Sequence, residues 1–112
     1  MNVMLYALKR DFEVQKAERY FKERRIPYTF VDLKKHRLGA REIELFAGQV
    51  GLDALIDKNG RAFAESAIRF SCDKNLILEA LMAQPALLRA PIVRNGRQVS
   101  VGFAPDVWAG WK

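Results

Sequence analysis

Cys72 and His36 are the only thiol and the only imidazole in the chain. A single cysteine rules out an intrachain disulfide, a CxxC redox pair and a cysteine-rich zinc site. Near the start of a helix, Cys72 would be a candidate nucleophile, because the helix field favours a thiolate. In a loop or first turn it is a small half-buried residue, and that reading fits better. His36 sits in the basic run "KKHRL" (34–38) and reads as an exposed loop histidine. It leaves no His-rich metal site and no second partner for a nucleophile triad. No GxxxxGK[ST] or GxGxxG stretch is present, so phosphate-loop chemistry has no support. What remains is a polar turn, "KRD" (9–11), between an apolar run and an amphipathic one. There Asp11 stands where an N-cap would stand. Its carboxylate can accept from free backbone N–H groups and suits the positive end of the helix dipole.

The elements around that turn follow from periodicity. "NVMLYAL" (2–8) is a nearly continuous apolar run, as in a strand buried on both faces. From Phe12 to Arg25, Val14, Ala17 and Phe21 share one helical face. Glu18 and Lys22 are expected to pair on the other side. Pro27 breaks the helix, and "YTFVDL" (28–33) reads as a second strand, parallel to the first. In "GAREIELFAGQVG", Ile43, Phe46, Ala47 and Val50 make a helical stripe closed by Gly51. "LDALI" is expected to add a short helix before the turn "DKNG", whereas residues 61–70 fit no single element. Ser71 or Asp73 is the expected cap of a helix through "NLILEALMAQ", which Pro85 ends. Asn95-Gly96 predicts a type I′ hairpin, and the alternation of Val99, Val101 and Phe103 predicts a strand with one buried face. A last helix starts near Pro105 and carries Trp108 and Trp111, expected to pack on the sheet rather than to anchor a partner.

At 112 residues and 50% hydrophobic, the chain is expected to form one globular domain over residues 1–112. No apolar run approaches the ~20 residues of a membrane span, and no signal peptide is evident, so the expected location is cytoplasmic. The net charge of +6 lies in residues 1–41, where eleven Lys or Arg face five acids; the rest carries eight against eight. Lys16, Arg19, Lys22, Arg24 and Arg25 cannot all face the core, so several must form an exposed cationic patch. Such a patch is either a solvated helix face or a docking face for an acidic partner or for nucleic acid.

Three segments together resemble the arsenate reductase (ArsC) family, with its Spx-type transcription regulators and small glutaredoxin-like members. They are "LYALKRDFEVQKAERYFKERRIPYTFVDLKK", "QPALLRAPIV", and "VGF" followed by a short helix. With the element order, the resemblance implies an α/β, thioredoxin-like (glutaredoxin-like) mixed sheet: βαβ, a helical insertion, then ββα. It also places the family's nucleophilic cysteine at Asp11. Two positions of its oxyanion-binding arginines fall at Asp57 or Asn59 and at Ala90, and a further one falls near Gly102. Arg61 and Arg89 lie nearby and are expected to face solvent. Pro91 is implied to be cis. Lys9, Arg10, Arg89 and Pro91 are the candidate binding residues.

A carboxylate cannot form the mixed disulfide or arseno-thiol of the family's chemistry. The resulting expectation is a module with a degenerate active site, binding or regulatory, without cofactor or metal. By analogy with the Spx-type members that bind RNA polymerase, its partner is expected to be a protein, acidic or transcription-related. The alternative is a thiol- or glutathione-dependent reductase of the family. Nucleic-acid binding is not expected, because no stacking aromatics interleave with the basic charge.

Overall fold

A strand buried on both faces sets the architecture. The computed structural model describes residues 2–111. Strand β1 (Val3–Ala7) lies inside a four-stranded sheet of order β2-β1-β3-β4. It pairs in parallel with β2 (Tyr28–Asp32) and antiparallel with β3 (Ile92–Asn95), which pairs antiparallel with β4 (Gln98–Val101). Val3, Leu5 and Ala7 point into one core layer and Tyr6 into the other, which explains the continuous apolar run.

Helices α1 (Phe12–Glu23) and α5 (Pro105–Ala109) build the first layer. Its centre is aromatic: the ring of Trp108 packs 5.0 Å from Tyr20, 4.8 Å from Phe21 and 5.5 Å from Phe103. Helices α2 (Ala40–Val50) and α4 (Lys74–Ala83) build the second, with Ile43, Phe46 and Leu81 buried against Tyr6, Ile92 and Val99. A short α3 (Arg61–Ala64) and three single turns of 3-10 helix complete the helical insertion. The parallel βαβ, the insertion and the closing ββα form the thioredoxin-like arrangement that the element order implies.

The short helix expected in "LDALI" is a 3-10 helix, Asp53–Leu55. Three local expectations need correction. The hairpin loop is Gly96-Arg97, because Asn95 already pairs with Gln98. Only Gly96 in it has positive φ (61°), the pattern of a type II′ turn rather than I′. Strand β4 does not bury a single face: Val99 enters the second layer, while Ser100 is buried on the other side under the Trp108 indole. Glu18 does not pair with Lys22. It is itself buried, with Arg10 Nε at 3.0 Å and the Tyr28 hydroxyl donating to it at 2.7 Å. Of the two candidate caps for α4, Asp73 takes the position and accepts from Asn75 N–H.

Candidate functional site

The turn after β1 opens onto a cleft of about 840 Å³. Lys9 and Asp11 come from the turn, and Glu13 from the first turn of α1. The facing wall holds Asp57, Lys58, Asn59 and Arg61, and below them Arg89 and Ala90. These segments are distant in sequence. An isolated bridge between Ile56 and Leu88 joins them, with Asp57 N–H donating to Leu87 O at 2.9 Å and Arg89 N–H to Leu55 O at 2.8 Å.

At the head of the cleft, Asp11 caps α1. Its Oδ1 accepts from Val14 N–H at 3.0 Å, on extended backbone that then turns into the helix. The carboxylate thus satisfies one of the donors that every helix leaves unpaired at its start. Asp11→Ala is expected to destabilise the protein by about 1 kcal/mol. Urea denaturation should show a lower midpoint with an unchanged slope; an unshifted midpoint would show that the cap contributes nothing.

Four cations and four carboxylates line the cleft: Lys9, Lys58, Arg61 and Arg89 against Asp11, Glu13, Asp53 and Asp57. Several are engaged already. Lys58 pairs with Asp53, and Arg61 with Glu65 at 3.2 Å. Asp57 folds over its own turn, with Oδ2 where a Cβ on Gly60 would meet it at 2.7 Å. Both Arg61 and Arg89 are exposed, as expected, yet both line the mouth. Arg89 lies flat against Gly102; a Cβ there would stand 3.0 Å from Nη2, and φ of +79° also favours glycine at that position.

The fold therefore brings together Lys9, Asp11, Asp57, Asn59, Arg89 and Ala90, and leaves out two other candidates. Arg10 turns away, its Nε on Glu18 and its guanidinium 4.0 Å over the Phe30 ring. Pro91 follows a cis peptide bond and is buried, its carbonyl accepting from Gly102 N–H. The Tyr28 phenol beside this network is pushed up to about 12 by burial and by its hydrogen bond to the Glu18 carboxylate. Burial also raises the Tyr6 phenol, against the opposing effect of Arg94. Cys72 is exposed and does not line the cleft, and His36 lies 3.4 Å from Glu42 elsewhere. Among the described residues no three His, Cys, Asp or Glu are grouped to hold a metal ion.

A profile of the ArsC family matches residues 6–110. The chain belongs to the ArsC family. The match runs from inside β1 through α5, so the ArsC-family span includes both walls of the cleft. An uncharacterized protein of Haemophilus influenzae is 23% identical over 103 residues, 90% of each chain. Among solved structures, the YFFB (PA3664) protein superposes with a TM-score of 0.85 at 24% identity, over 96% of both chains. An arsenate reductase (ArsC) related protein from Brucella melitensis is 27% identical, with a TM-score of 0.76 over 99% of this chain and 94% of that one. The arsenate reductase from Vibrio cholerae reaches a TM-score of 0.84 over 95% and 93% of the two chains, at 17% identity, a likeness of fold.

Proposed function

We propose that this ArsC-family chain is a non-catalytic binding or regulatory module, with a degenerate reductase site and a protein partner. The observation that carries the reading is the Asp11 carboxylate hydrogen-bonded to Val14 N–H at the head of the cleft. Arsenate reduction needs a sulfur there, to attack and then to leave as a disulfide. The charge of the cleft supports the same reading. A bound dianion needs guanidinium forks and surplus positive charge, whereas here four carboxylates stand among four cations. Cys72 offers no substitute, since it lies outside the lining. Among the described residues no helix is long and apolar enough to cross a membrane. The protein partner rests on analogy with the Spx-type regulators of the family.

The test is an arsenate reductase assay with glutathione or thioredoxin as electron donor. The purified protein is expected to stay at the level of the buffer blank. Turnover that follows the protein through successive purification steps would overturn the proposal. If that turnover also vanished in Cys72→Ser, it would establish the alternative, a thiol- or glutathione-dependent reductase.

A further inference from the structure

We infer that the outward stripe of α1 is a docking surface for an acidic amphipathic helix of a partner protein. The inference rests on the binding-module reading and adds the surface and the chemistry of what binds. Helix α1 buries Val14, Ala17, Glu18, Tyr20 and Phe21. The opposite stripe, at spacings of three and four, is Phe12, Gln15, Lys16, Arg19 and Lys22, all exposed. Among the described residues neither Arg19 nor Lys22 has a carboxylate partner. The carboxylate at hand, Glu18, is already occupied by Arg10 and Tyr28. Arg19 and Lys22 thus flank, with Arg10, Gln15 and the already paired Glu18, a shallow groove of about 430 Å³, and neither makes an ion pair of its own.

At the N-terminal end of the stripe, Phe12 is 76% exposed. The Lys16 ammonium stands 5.3 Å from its ring and 4.9 Å from that of Phe103. An exposed aromatic is the kind of residue enriched at interface centres, and the charge of Lys16, Arg19 and Lys22 along the same stripe would steer and orient an acidic partner. The twelve residues of α1 span about 18 Å, which matches three turns of a partner helix. Such a helix would set an apolar side chain on Phe12 and its acids along Lys16, Arg19 and Lys22. A nucleic acid fits less well. Glu23, on the stripe four residues after Arg19, and Glu13 at its side break the positive charge, which the spaced acids of a helix can avoid and a continuous polyanion cannot, and one aromatic is not a stacking series.

The probe is a fluorescein-labelled three-turn amphipathic peptide with Glu along one face and a Leu at its end, followed by anisotropy. Binding is expected to weaken with salt and to disappear when the Glu residues are replaced by Gln. Arg19→Glu with Lys22→Glu should weaken it by on the order of tenfold or more. The same charge change at Lys34 and Lys35, in the basic loop away from α1, should change it less than about twofold. Arg19→Gln with Lys22→Gln should lower affinity in the same direction by a smaller factor, with the melting temperature kept. Phe12→Ala should also weaken binding, which pure charge attraction would not require. Absence of binding, equal loss in the Lys34/Lys35 variant, or tighter binding of a DNA duplex than of the peptide would each overturn the docking surface. Running the arsenate assay on the same preparations separates the two claims: turnover strikes the binding-module reading, while the peptide titration alone decides the surface.

Discussion

Trp108→Ala is expected to destabilise the protein by about 3–5 kcal/mol, as for other large core truncations. The side chain is 2% exposed and packs against Tyr20, Phe21 and Phe103. Its Nε1–H donates to the buried Ser100 hydroxyl at 2.6 Å. Truncation empties the centre of the first core layer and strands that hydroxyl, whose loss of a partner adds to the cost. It also frees α5, five residues long and too short to persist without packing. Because Tyr20 and Phe21 belong to α1, the same loss loosens the helix that Asp11 caps. Trp108→Phe keeps most of the volume and should cost markedly less. Urea titration of both variants is the check. A loss below about 1 kcal/mol for the Ala variant would mean that the indole is not structural and would return it to the list of partner anchors.

The second large effect is chemical. Asp11→Cys is expected to create a thiol of depressed pKa, half-titrated at pH about 7.5 or below. The backbone N–H that now meets the Asp11 carboxylate would meet a thiolate in the same place. The helix dipole acts on either anion alike. Greater reactivity should not restore arsenate turnover. Asp57, Asn59 and Ala90 present no guanidinium; of the two lining arginines, Arg61 pairs with Glu65 and Arg89 lies alone against Gly102, so no pair of forks converges on one site, and the carboxylates of Glu13, Asp53 and Asp57 remain in the cleft. Arsenate reduction by Asp11→Cys would show that the cleft kept its anion site and lost only its sulfur, contradicting the degenerate reading.

Features written locally were the legible ones. The apolar run of β1 needs two core layers, and two are present. Asp11 before an amphipathic segment caps it, because N-capping reaches only three residues ahead. Asn95-Gly96 points to a hairpin loop one residue early, since Asn-Gly marks a turn but the cross-strand register decides which residues are central. The partner of Glu18 is set non-locally. Spacing along α1 offers Lys22, but Arg10 folds back from the turn and Tyr28 reaches across from β2 to take the carboxylate first. The lining acids Glu13 and Asp53 and the cation Lys58 gave no signal in the sequence as site residues. Glu13 lies in α1 beside the turn, while the bridge between Ile56 and Leu88 ties the loop of Asp53 and Lys58 to the Arg89 segment of the cleft, and no periodicity encodes it.

A structural carboxylate caps α1 at the position where the resemblance to the family implies a reactive sulfur. The most direct measurement is the rate of maleimide modification of Asp11→Cys against pH, on a Cys72→Ser background so that only the introduced thiol reports. The account predicts a rate profile whose midpoint lies at least about one pH unit below that of a free cysteine, near 8.5. A profile with the midpoint of free cysteine would place residue 11 away from the helix donors and contradict the account.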